Sequence, residues 1–79
     1  MLKRDEMLNP ASCLLRAHEN EMIFVLLARD VAAANTIRYW AAERVRLGRN
    51  HPSDEQIQEA LECANEMDRQ LTQLRRLSI

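Results

Sequence analysis

The chain has 79 residues, 47% of them hydrophobic, with 11 Lys plus Arg against 12 Asp plus Glu for a net charge of -1. Such a length holds one domain, which excludes a two-domain enzyme, and the charge balance removes any global attraction to nucleic acid or an anionic membrane. One Gly and two Pro supply too little turn chemistry for an all-β fold, so the expected class is mainly α, with an aliphatic core of Leu and Ala.

Residues 1–8 mix charges with Leu2, Met7 and Leu8, without caps or a sustained period, and are predicted to fray. Asn9-Pro10 offers an N-cap followed by Pro at the first helical position, predicting a short helix over 10–17 with Cys13, Leu14 and Ala17 toward one side. After the polar His18-Glu19-Asn20-Glu21 comes the apolar run Met22-Ile23-Phe24-Val25-Leu26-Leu27-Ala28. Its length fits a buried strand or a buried helical turn, and the β-branched and aromatic centre favours a short β-strand over 22–28.

Asp30 is a suitable N-cap for a helix over 31–47, where Val31, Ala34, Ile37, Trp40 or Ala41, Val45 and Leu47 recur at helical spacing and Gly48 stands at the C-terminal cap. Adjacent residues on a helix point about 100° apart, so Trp40 is expected in the core and Tyr39 at the rim. Arg49-Asn50-His51-Pro52 forms the connection. Ser53 and Gln56 read as a capping box that opens a helix over 53–77. There Ile57, Ala60, Ala64, Met67, Leu71 and Leu74 fill six successive a and d positions, with Leu61 and Leu77 widening the stripe. The two long helices are expected to pair antiparallel as a helical hairpin within one domain, 1–79.

A helix over 53–77 spans roughly 36 Å, whereas a compact domain of this size has a radius of gyration near ~12 Å. Part of that helix should therefore face another chain. A lone strand leads to the same expectation, because its backbone groups need a partner. The reading is a homodimer or higher homo-oligomer with Phe24, Leu26, Met67, Leu71 and Leu74 at the interface. A monomer with a helical 22–28, or with a second strand near the N-terminus, is the alternative.

Chemistry is sparse. Two Cys and two His show no C-x-x-C, H-x-x-x-H or EF-hand spacing, so no metal is expected. A single Gly excludes glycine-rich phosphate loops, and no cofactor is expected. Asp54, Glu55, Glu59, Glu62, Glu66 and Asp68 read as a solvated face, Cys63 as a core or interface thiol, and Cys13 as half-buried with His18 at the surface. His51 has no evident partner. These features predict a protein that is not an enzyme. The longest apolar run has seven residues, well short of the ~20 that a membrane span needs. With two distant cysteines and no signal-peptide core at the N-terminus, the expectation is a soluble, cytoplasmic protein.

The distribution of charge is more informative than its sum. Residues 29–49 carry five Arg and two acids, whereas residues 53–68 carry six acids and no base. Either the helices pair with complementary flanks, or Arg38, Arg44, Arg46 and Arg49 form an exposed patch with Tyr39 as an anchor for a partner protein. A helix-turn-helix reader fits poorly, because the helix that would enter the groove is acidic, and direct nucleic-acid binding is not expected.

Cys13-Leu14, the acids Glu19 and Glu21, Phe24, Leu26, Ala28, Asp30, Trp40, and Ala64 with Met67 stand in a recognisable order. Over residues 12–68 the sequence resembles small proteins of bacteriophages and prophages. In those proteins a Cys-Leu pair and an acidic turn precede an F-x-L-x-A-x-D segment, a helix with a central Trp, and an Ala-rich helix with A-x-x-M. Residues 69–79 depart from that pattern and are expected to serve assembly. The resemblance implies a phage-type origin and action by binding a host protein or complex. The expected function is a non-enzymatic antagonist of host defence or regulation, anti-CRISPR-like in type; an oligomeric sponge for an anionic nucleotide signal and a structural or assembly factor are the alternatives.

Overall fold

The computed structural model describes residues 1–77. Among these residues there are four helices: α1 (Lys3–Leu8), α2 (Cys13–Arg16), α3 (Ala33–Arg46) and α4 (Glu55–Leu77). α3 packs on α4 and α1 on α2, with no other helix pair in contact among the described residues. The two long helices therefore form the expected hairpin. The side chain of Leu77, expected to widen the stripe, lies outside the described part, as do residues 78–79 of the proposed assembly segment.

The α3–α4 contact is built from small side chains. Ala33, Ala34 and Ala41 on α3 and Ile57, Ala60 and Ala64 on α4 are the buried hydrophobic residues. On α4 they continue through half-buried Met67 and Leu71 at the spacing of the predicted heptad. On α3 the inward register is Ala34, Ile37, Ala41 and Val45. Trp40 falls outside this register and is 40% exposed, which corrects its expected place in the core. Ala41 takes the inward position because the seven-residue step from Ala34 returns to the same face, and a ring the size of Trp40 would hold the helices apart.

The hairpin turn follows from sequence-local chemistry. Gly48 has φ +71°; its N–H donates to the Val45 carbonyl at 3.0 Å and the Arg49 N–H to the Arg44 carbonyl at 2.9 Å. This is the Schellman arrangement, which a residue without a Cβ enters at little steric cost. Asp30 starts α3 from two positions before its cap, where its carboxylate accepts from the Ala32 N–H at 2.9 Å. The predicted capping box does not form: Ser53 bonds to the His51 ring at 2.7 Å and Gln56 accepts from Asn50 at 3.1 Å.

The N-terminal third departs most from expectation. Residues 3–8 are helical rather than frayed, and the second helix begins at Cys13 rather than Pro10. Its cap is Ser12, which accepts from the Leu15 N–H at 3.2 Å and donates to the Glu6 carbonyl at 2.6 Å, tying α2 to α1. Residues 22–27 contain no helix, turn or strand, and the predicted strand is absent from the described residues. A β-ladder needs a second strand, and nothing else among the described residues supplies one.

The alanine contact makes a direct prediction. Ala64 has no exposed surface, so Ala64→Leu should wedge the helices apart and cost about 1–3 kcal/mol. Ala42→Leu, on the exposed side of α3, should change stability by no more than about 0.5 kcal/mol. Urea unfolding followed by circular dichroism distinguishes the two; equal midpoints would contradict this packing.

Candidate functional site

The five residues expected to contact a partner lie on α3 and the turn after it, and the structure gives them different surroundings. Arg38 lies on the flank of α3 that faces α4. Its guanidinium donates to Asn35 at 2.9 Å, to Asn65 at 2.9 Å and to Asp68 at 2.7 Å, bridging the two long helices. Arg44 lies on the opposite flank, donating to Asn50 at 2.7 Å with its guanidinium 5.8 Å from the Trp40 ring centre, within cation–π range. Arg46 makes a forked pair with Glu43, one turn back on its own helix, at 2.5 and 2.8 Å.

Charge pairing between the helices thus occurs at Arg38, whereas Arg44 and Arg46 are engaged locally. The Arg46 fork holds the Glu43 carboxyl below its ordinary pKa and raises that of Arg46. Arg49 is exposed and makes no side-chain hydrogen bond or ion pair with the described residues. Tyr39 is 70% exposed. With Glu43 and Arg46, it marks the face turned away from α4, since positions 39, 43 and 46 recur at helical spacing.

Asn50 organises the turn beside this face. It is half-buried, accepts from Arg44 through its side-chain oxygen, and donates to Asp54 at 3.1 Å and Gln56 at 3.1 Å. Asp54 also accepts from the His51 N–H at 2.9 Å. That backbone bond first, then the Asn50 amide and the His51 charge, hold the Asp54 carboxyl below its ordinary pKa. Arg49-Asn50-His51-Pro52 is therefore more than the connection its composition suggests; the signal for this is an amide two residues after a helix-ending Gly, placed to satisfy both helix ends.

The acidic stripe of α4 meets the start of the chain. Met1, Glu59, Glu62, Cys63 and Glu66 line a shallow, open depression. Glu66 bonds to Arg69, which lowers its carboxyl pKa, with smaller contributions from Gln70 and the N-terminal amine. No group of three or more His, Cys, Asp or Glu is placed to hold a metal ion among the described residues. Both cysteines are free, Cys13 exposed and Cys63 half-buried, and no described helix is long and apolar enough to cross a membrane.

A second surface is apolar and was not legible as exposed. Met22 is 96% exposed, Phe24 85% and Val25 66%, with Ile23 and Leu27 also open to solvent. No backbone group from residue 22 to 26 is hydrogen-bonded within the described chain. Of the residues expected at a subunit interface, Phe24 and Leu74 are exposed, while Leu26, Met67 and Leu71 are half-buried. Comparison with protein families, curated proteins and solved structures gave no match.

The turn network carries a pH dependence with a definite sign. A carboxyl whose folded pKa is depressed stabilises the fold above its ordinary pKa and loses that contribution as pH falls through the lowered value. Asp54→Asn should therefore lower the melting temperature at neutral pH and flatten the decline below about pH 4. A variant whose acid limb matches the parent would contradict the role given to Asp54.

Proposed function

We propose that this is a non-enzymatic binding protein of phage type, which acts by occupying the surface of a host defence or regulatory complex. The contact face is the outward side of α3 and the turn after it, with Tyr39 as anchor and Arg46 and Arg49 beside it. The observation that carries this reading is Tyr39, a large aromatic residue left 70% exposed on a helix braced along its other side. Exposed Tyr and Arg on a rigid element have the composition of interface hot spots, where little side-chain entropy is lost on docking.

Capture of an anionic nucleotide is less favoured. It would need several arginines free to converge, whereas Arg38, Arg44 and Arg46 already have partners within the chain. Arg38 also belongs to the hairpin rather than to the contact face, so reversing its charge would set two like charges against each other at Asp68 and weaken the fold.

The test is capture of a host complex from bacterial lysate by tagged protein, with the bound complex identified by mass spectrometry. Tyr39→Ala with Arg49→Glu should leave helicity unchanged and weaken capture about tenfold or more, as loss of an aromatic hot spot does. Retention at the level of the parent would refute this contact face.

A further inference from the structure

Residues 1–32 have secondary structure but no apolar core. Of the large aliphatic, Met and Phe side chains between Met1 and Val31, all except Leu26 are exposed, and the buried residue of this region is Ser12. A folded chain of 9.2 kDa ordinarily exposes about 4,900 Å². This chain exposes 6849 Å², an excess of about 1,900 Å² over that expectation. The radius of gyration shows the same discrepancy, 14.0 Å against about 12 Å for a compact chain of this length.

We infer that a second copy of this chain covers that surface, in a two-fold dimer centred on residues 22–27. The area argues for a permanent partner rather than an occasional one. Soluble monomers rarely carry an apolar patch beyond about 300–600 Å², and Met22, Ile23, Phe24, Val25 and Leu27 are exposed side by side in one uncharged run. The whole-chain excess of about 1,900 Å², polar and apolar together, leaves room for the area that each subunit of an obligate homodimer buries, and such interfaces are more apolar than transient ones.

Charge favours a second copy of this same chain. The uncharged run is preceded by Glu19 and Glu21 and followed by Arg29 and Asp30, all four exposed; the Asp30 carboxylate is turned to the start of α3, where it accepts from the Ala32 N–H, which leaves Arg29 as the charge facing outward. In an isologous contact each residue meets its complement across the axis. When two runs lie antiparallel, the acids of each copy come against Arg29 of the other, and the apolar side chains cover one another between them. This surface is separate from Tyr39 and does not depend on what α3 binds.

Light scattering after size exclusion, at about 50 μM, should give the parent twice its chain mass of 9.2 kDa. Phe24→Asp should raise the dimer dissociation constant about 30-fold or more, the loss expected for a central aromatic anchor. Because Phe24 is 85% exposed in the single chain, the variant should keep its helicity. Arg29→Glu should weaken the dimer, and Glu21→Arg added to it should restore most of the loss. A monomeric parent, or a dimer indifferent to both Phe24→Asp and Arg29→Glu, would overturn the inference.

Discussion

The two long helices, and with them the outward face of α3, depend on how closely α3 and α4 approach. Among the described residues, five of the six buried hydrophobic ones are alanines, so the contact gains little from any one side chain, about 0.8 kcal/mol per buried methylene-sized group. What alanine permits is proximity: backbones and side-chain stems of the two helices meet without intervening bulk, and dispersion over the whole seam replaces the few large anchors of an ordinary core. Arg38 closes one flank of that seam onto Asn65 and Asp68. Gly48 and Asn50 set the turn that brings the helices together. The outward face of α3 is a usable platform only because its inward face is held this way.

The same economy leaves the rest of the chain without a core to join. An alanine seam has no hollow for Phe24 or Ile23 to fill, and residues 22–26 run between the two helical pairs without a backbone hydrogen bond to the described chain. An apolar segment in that position is costly for a lone chain. It becomes reasonable where chains pair, with the apolar segments facing one another and the outward sides of both α3 helices open. The proposed binding role and the proposed dimer thus occupy different surfaces of one design, and either can be correct without the other.

The sequence made the hairpin legible because its signals are periodic and local. Ile57, Ala60, Ala64, Met67 and Leu71 repeat at heptad spacing, and a lone Gly after a helical pattern marks the αL cap. The opposite charges of the two long helices correctly suggested pairing, although Arg38 is the residue that makes it; Arg44 and Arg46 found nearer partners. Trp40 was misplaced because size and hydrophobicity suggested burial, whereas register decided for Ala41. The apolar run 22–28 reads as a strand by composition, but composition does not supply a neighbouring strand. Ser12 and Asn50 were missed as organising residues because what they organise is three-dimensional: a hydroxyl linking two short helices, and an amide serving both ends of a turn.

Amide hydrogen exchange measured residue by residue at two protein concentrations, one below and one above the dimerisation range, tests the central claim most directly. The claim is that the α3–α4 seam is self-sufficient and that residues 1–32 are completed by a second chain. Protection in α3 and α4 should be high and nearly the same at both concentrations, while amides in residues 1–32 should be almost unprotected when dilute and gain protection when concentrated. Equal protection of residues 22–27 and α4 at the lower concentration would contradict the account, since that segment would then be completed within a single chain.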